Sequence, residues 1–260
     1  QAKKTDFSKQ WKEILSSSLY SHDLDKIKKD VNKSPSLGTK VRKLNAFGFS
    51  PLHFSLASGF TDVAMFYLSL SKDYYGKRTK IKRKPFKGRY EVIDRVTNKK
   101  YLIMSGMGLL DIAVKRGDLI FANYLFSKGA RLQKGSDTKY STLMYAAESL
   151  NDNVELVKLL VKKGLSINES FMGVKYAALF LSVQANNTKI SKWLINKVED
   201  IGSLTMKNGV TPLYYSIGHK NKEVSSLLMK KGAKLNAIVL PLRFSLLQKA
   251  IISSDIKMAK

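Results

Sequence analysis

Residues 211–236 read TPLYYSIGHKNKEVSSLLMKKGAKLN. A Thr-Pro start leads into an apolar-striped segment, a polar break follows, and a second striped segment closes in Lys-Lys-Gly. The plan recurs. Residues 50–68 read SPLHFSLASGFTDVAMFYL, residues 108–130 read GLLDIAVKRGDLIFANYLFSKGA, and residues 141–164 read STLMYAAESLNDNVELVKLLVKKG. Two weaker copies complete the register: 175–195, KYAALFLSVQANNTKISKWLI, with Lys175 in the cap slot, and 245–256, SLLQKAIISSDI. Starts at 108, 141, 175, 211 and 245 give steps of 33, 34, 36 and 34 residues. A fixed step of this size marks a repeat architecture.

Each copy spells two short helices. Helices of this length are marginal alone and must bury their stripe against neighbours. Ser50, Ser141 and Thr211 are suitable N-caps. Pro51 and Pro212 sit at the first turn, where the missing amide costs nothing. Gly129, Gly164 and Gly232 follow a helix end and suit the left-handed cap. FSKQWKEILSSSLYSHDLDKIKKDVNKS near the start reads as a helix pair with a polar outer face, as a capping repeat requires.

These stretches resemble the ankyrin repeat family. The carriers are Ser50-Pro51-Leu52-His53, Thr211-Pro212-Leu213-Tyr214 and the ending Gly232-Ala233-Lys234-Leu235-Asn236. The resemblance implies an all-α solenoid of stacked helix-turn-helix units with short β-hairpin fingers, about seven repeats in one domain over residues 1–260. The N-terminal cap would take 1–39, a repeat 40–71, and further repeats 106–260, the last incomplete at Lys260. The 175 copy departs from the pattern in lacking Thr-Pro. The 141 and 175 copies are expected to carry about two extra residues between their helices.

Between the starts at 50 and 108 lie about 25 residues more than one repeat needs, and they fall in 72–105. This surplus is expected to be an enlarged β-hairpin finger. Arg89–Val96 alternates, Thr97-Asn98-Lys99-Lys100 is turn-like, and Tyr101–Met104 supplies a second strand. Gly76, Pro85 and Gly88 argue against a helix in its basic part, KRTKIKRKPFKGR at 77–89. Eight of those thirteen residues are cationic: Lys77, Arg78, Lys80, Lys82, Arg83, Lys84, Lys87 and Arg89. With Tyr74, Tyr75, Phe86 and Tyr90 interleaved, they could pair phosphates while the rings stack bases. The plainer reading has the rings pin the finger and the cations solvated. A third has the finger meet an acidic patch on a protein.

The chain carries 46 Lys and Arg against 20 Asp and Glu, a net charge of +26. Such charge steers polyanions and acidic proteins toward it. Yet the cations are mostly Lys and dispersed, which compositional bias also produces, whereas phosphate readers favour the bidentate Arg fork. Cysteine is absent, excluding disulfides, thiolate metal sites and cysteine nucleophiles. No apolar run reaches the roughly 18 residues that span a bilayer. The chain starts at Gln1, so an exported location is expected if Gln1 is a processed N-terminus, and a cytoplasmic one otherwise.

Catalytic patterns are lacking. His22, His53 and His219 lie far apart, and no Ser-His-Asp order, HExxH or glycine-rich phosphate loop stands out. No enzyme activity, cofactor or metal is therefore expected. The resemblance makes His53 a structural brace. It also implies a concave face lined by Ala57 and Ser58, Lys115 and Arg116, Glu148 and Ser149, Ser182 and Val183, and Gly218 and His219. Finger positions would add Phe47, Phe49, Lys139, Tyr140, Phe171, Met172, Lys207 and Asn208. The expected function is a scaffold, monomeric on its own. It would bind a partner protein with an acidic surface through this face, as an inhibitor or stabiliser. The alternative is polyanion binding through 72–105.

Overall fold

The computed structural model describes residues 17–41, 43, 50–70, 89–104, 106–136, 138–240 and 243–253. Over these residues the backbone is mostly short helices, grouped in two compact units, residues 1–131 and 132–260.

The first unit opens with a 3-10 turn, Ser18–Tyr20, then helices α1 (Leu24–Lys33), α2 (Ser36–Lys40), α3 (Pro51–Ala57) and α4 (Thr61–Ser69). Strands β1 (Arg89–Asp94) and β2 (Lys99–Met104) follow, then α5 (Leu109–Arg116) and α6 (Leu119–Ser127). The N-terminal turn is tied down by Tyr67, whose hydroxyl donates to the Leu19 carbonyl at 2.8 Å. Inner helices α3 and α5 pack side by side, each backed by its outer helix. Ser50 caps α3 by accepting the His53 amide at 3.2 Å, and its hydroxyl meets His53 Nδ1 at 2.7 Å. His53 is buried, so it braces the helix start as expected.

The second unit repeats this plan. It holds α7 (Thr142–Ala147), α8 (Val154–Lys162), α9 (Ala177–Gln184), α10 (Thr188–Ile195), α11 (Pro212–Gly218) and α12 (Lys222–Lys230). A two-residue ladder, β3 (Ile238–Val239) with β4 (Phe244–Ser245), leads into α13 (Leu246–Ile252). The inner helices α7, α9, α11 and α13 pack in series, as do the outer helices α8, α10 and α12. The outer helices bury one register: Leu156, Val157 and Leu160, then Ile190, Ser191 and Leu194, then Val224, Ser225 and Leu228. Burying such aliphatic side chains is worth roughly 1.5–3 kcal/mol each, which short helices need. The two buried serines are satisfied across the helix pair, Ser191 to Ser182 at 3.0 Å and Ser225 to Ser216 at 2.9 Å.

The caps fall where the sequence puts them. Ser141 accepts the Met144 amide at 3.1 Å and Thr211 the Tyr214 amide at 3.2 Å. Gly129, Gly164 and Gly232 take positive φ after their helices. Asn187, at the start of α10, does more: its side-chain amide donates to the carbonyls of Ala147 (3.0 Å) and Ser149 (2.8 Å) in the preceding repeat.

Two expectations need correction. The 175 copy does not start at Lys175. Tyr176 stands at the cap position with φ 54° and no side-chain cap, and the helix begins at Ala177. Lys has no acceptor to offer the first-turn amides, so the turn ends at the left-handed Tyr176 instead. The α9–α10 loop is consequently as short as the α11–α12 loop, and only the α7–α8 loop is extended. The second correction concerns the hairpin turn. Asp94 Oδ1 accepts the amides of Val96 (2.9 Å) and Thr97 (2.8 Å), and Asn98 takes φ 54°. That closes the turn at 95–98 and returns Lys99 and Lys100 to β2.

Candidate functional site: a buried clamp in one unit and an open recess in the other

The two-stranded hairpin does not stand away from the first unit. Its buried face, Val92, Asp94, Tyr101 and Ile103, lies against the inner helices. The Tyr101 hydroxyl donates to the Ala57 carbonyl at 2.7 Å, and the Arg95 amide donates to Ser58 O at 2.9 Å. Below the turn, Arg116 Nε donates to Asp94 Oδ2 at 2.5 Å, and its Nη1 donates to Asp118 Oδ2 at 2.9 Å. Burial alone would push the Asp94 carboxyl up. Its hydrogen bonds from Arg116, Thr97 and Val96, with the Arg116 charge, outweigh this and hold it below the usual carboxylate range.

Six residues expected on an open concave face are corrected: three here, and in the second unit Ser149, Ser182 and Val183, which are also buried. Ala57 and Ser58 are buried, and Arg116 is 7% exposed. Arg116 serves as a buried clamp between the hairpin and the inner helices because the chain's own hairpin covers these positions. Lys115, one residue earlier, is half-buried on α5. Phe47, Phe49 and the cations Lys77, Arg78, Lys80, Lys82, Arg83, Lys84 and Lys87 lie outside the described residues. So do the rings of Tyr74, Tyr75, Phe86 and Tyr90 and the side chain of Arg89, although Arg89 and Tyr90 are part of the β1 backbone.

In the second unit the open space lies between the fingers and not at those helix-end positions. Three fingers and helix α9 enclose a concavity of about 360 Å³. The first finger ends in an isolated bridge between Ser136 and Lys139 and delivers Tyr140. The Tyr140 carbonyl accepts a short bond from Gln133 Nε2. The next finger closes between Phe171 and Val174 through Met172 (φ 52°) and Gly173 (φ 76°). Two successive positive φ angles make this the tight primed turn that matches strand twist. The third bends at Met206–Gly209, where the Gly209 amide donates to Met206 O at 2.9 Å. A methyl group on Gly209, whose φ is +83°, would fall 2.1 Å from the Ile238 carbonyl oxygen.

Tyr140, Phe171, Met172 and Lys207, all expected from the sequence, line this concavity together with Asn208. Phe171 meets Tyr140 edge to face at 4.6 Å, and Tyr145 lies against the other ring at 5.1 Å. Burial, then the nearby Glu148, raise the Tyr140 phenol above its ordinary range. Met172 stands at the lip, 69% exposed. Lys139 is exposed on the first finger, and Glu148 is half-exposed at the end of α7. His219 lies apart at the end of α11, where its Nε2 donates to the Gln184 carbonyl at 2.9 Å. Sequence reasoning missed Val174, Ala177, Leu181, Gln184 and Met206, which also line the space. The spacing of 177, 181 and 184 puts three of them on one face of α9, a signal present in the sequence.

The arrangement offers an apolar recess with amide and ammonium groups at its edge. Among the described residues, no group of three His, Asp or Glu side chains is placed to hold a metal ion. No described helix is long and apolar enough to cross a membrane.

Residues 143–239 match the family described as ankyrin repeats, in three copies. The chain is 30% identical over 117 residues to an ankyrin repeat protein of Borreliella burgdorferi, covering 45% of this chain and 49% of that protein. It is 28% identical over 128 residues to an ankyrin repeat protein of fowlpox virus, covering 49% of this chain and 29% of that one. The chain thus spans half or less of the length of these curated relatives.

Proposed function

Starting from the ankyrin-repeat match over residues 143–239, we propose that this chain is a non-enzymatic scaffold that captures a partner protein in the open concavity of its second unit. Repeats of this kind generally serve protein–protein interaction. The observation that carries the reading is Met172. It is a large apolar side chain, 69% exposed, at a left-handed position that costs an unbranched residue roughly 1 kcal/mol or more. Neither fold nor solubility gains from it there. It forms the lip of a recess walled by Tyr140 and Phe171, residue types that anchor interfaces. A bound partner would be held in place and shielded on that side, which suits an inhibitor or a stabiliser.

A photo-crosslinking residue at position 172 tests this in nuclease-treated extract of the native cells at physiological salt. The same group at Ile120, an exposed position on α6, is the control. One protein crosslinked from 172 and not from 120 is the expected result. Crosslinking to no protein from 172 would overturn the reading.

A second reading rests on the eight cations of residues 77–89. It supposes that this segment binds nucleic acid or another polyanion, and it requires affinity to fall steeply with salt. Deletion of 77–89 should then abolish binding to duplex DNA at physiological salt. Unchanged affinity removes this reading.

A further inference from the structure

We propose that the occupant of the concavity is an acidic peptide segment of the partner. It buries one large apolar side chain between the fingers and sets its carboxylates against the surrounding lysines. The proposal rests on the reading of this face as protein-binding and adds the chemistry of what is bound.

Size comes first. About 360 Å³ is at the small end of ligand recesses. It has room for one or two side chains, while a docking helix presents anchors over two turns and needs a longer groove. The lining sets the anchor's character: Phe171, Val174 and Leu181 are apolar. The Gln184 side-chain amide stands at the edge with no hydrogen-bond partner among the described residues, placed to meet a peptide backbone.

Charge selects what flanks the anchor. Among the described residues Lys207 is the one charged side chain of the lining, and Lys139 and Lys175 are exposed on the first two fingers. No acidic side chain among the described residues lines the space. Of the described carboxylates, Glu169 accepts the Gly135 amide through Oε1 at 3.2 Å while its Oε2 is buried without a hydrogen bond, and Glu148 lies near the Tyr140 hydroxyl. Residues 132–260 hold 19 Lys and Arg against 9 Asp and Glu. Such a rim attracts carboxylates and repels a basic peptide. A nucleic acid fits less well. The Tyr140 ring already has Phe171 at 4.6 Å and Tyr145 at 5.1 Å, which leaves less of it for a base to stack on.

The test is fluorescence anisotropy with the full chain at physiological salt. The probe is a labelled peptide with a central Phe flanked on each side by Asp-Glu. Comparison peptides carry Ala in place of Phe, or Lys in place of the acidic residues, and an unlabelled oligothymidylate serves as competitor. The Phe peptide is expected to bind, and both comparison peptides to lose about tenfold or more in affinity. Lys207→Glu should weaken the Phe peptide about tenfold. Lys207 is exposed, so this variant should fold, whereas Leu181→Asp should abolish binding but needs its circular dichroism checked. Equal affinity for the Ala peptide, equal affinity for the Lys-flanked peptide, full displacement by oligothymidylate, or no binding of the Phe peptide would each overturn the proposal. If crosslinking from 172 still captures one protein in that event, the scaffold reading stands and only the acidic chemistry falls.

Discussion

Arg116 and Asp94 form an ion pair at 2.5 Å, with side chains only 6% and 1% exposed, and it fastens the inserted hairpin to the inner helices of the first unit. A pair this deep gains little over an apolar substitute of the same shape. It is costly to break from one side, because a charge then remains buried alone.

Arg116→Ala should therefore destabilise the protein by about 3–5 kcal/mol. The joint change Arg116→Met with Asp94→Asn, which keeps an acceptor for the Val96 and Thr97 amides, should cost less than the single one. Urea unfolding of the three chains checks this. A single variant as stable as the parent would show that the hairpin is not held by this pair.

The same pair gives the stability a pH dependence. Asp94 titrates lower in the folded chain than in the unfolded one. Its contribution is complete above the ordinary carboxylate range and is lost as pH falls through the depressed folded value. Thermal midpoints between neutral and strongly acidic pH should fall less for Asp94→Asn than for the parent.

Asn187 ties two repeats together through the Ala147 and Ser149 carbonyls. Asn187→Ala leaves two buried acceptors unmet, at about 1–3 kcal/mol each. Asn187→Asp should be worse, since it sets a carboxylate against two carbonyl oxygens. Thermal unfolding should rank parent, Ala and Asp in that order.

Met172→Asn separates stability from recognition. Asn followed by Gly is the preferred pair for this turn, so stability should rise by about 0.5–1 kcal/mol. Capture of the partner should fall, because the lip of the recess is lost. A variant that is more stable and binds as well would remove Met172 from the interface.

Gly209 and Gly164 distinguish close packing from backbone strain. Gly164→Ala meets no atom within 4 Å and pays only for its positive φ, about 1–2 kcal/mol. Gly209→Ala also drives a methyl into the Ile238 carbonyl and should cost more. Chemical denaturation decides, and hydrogen exchange at Leu240, whose amide donates to Asn208 O at 2.8 Å, should accelerate only in the second.

Helices, caps and repeat spacing could be read from the residues because each rests on neighbours along the chain. Ser141 caps an amide three residues away, and the buried registers 156, 157, 160 and 190, 191, 194 recur at one step. Periodicity carries that information directly. The fate of the concave face could not be read this way. Ala57 is covered by Tyr101, 44 residues on, and Arg116 by Asp94, 22 residues back. The recess of the second unit gathers Tyr140, Phe171, Leu181 and Lys207 from separate loops and one helix. Such pairings lack a period, and they follow from where an insertion folds back and how sharply each finger turns. The repeat pattern alone therefore marked the helix-end positions as open, whereas long-range packing buried Ala57, Ser58, Arg116, Ser149, Ser182 and Val183 and left the recess between the fingers of the second unit.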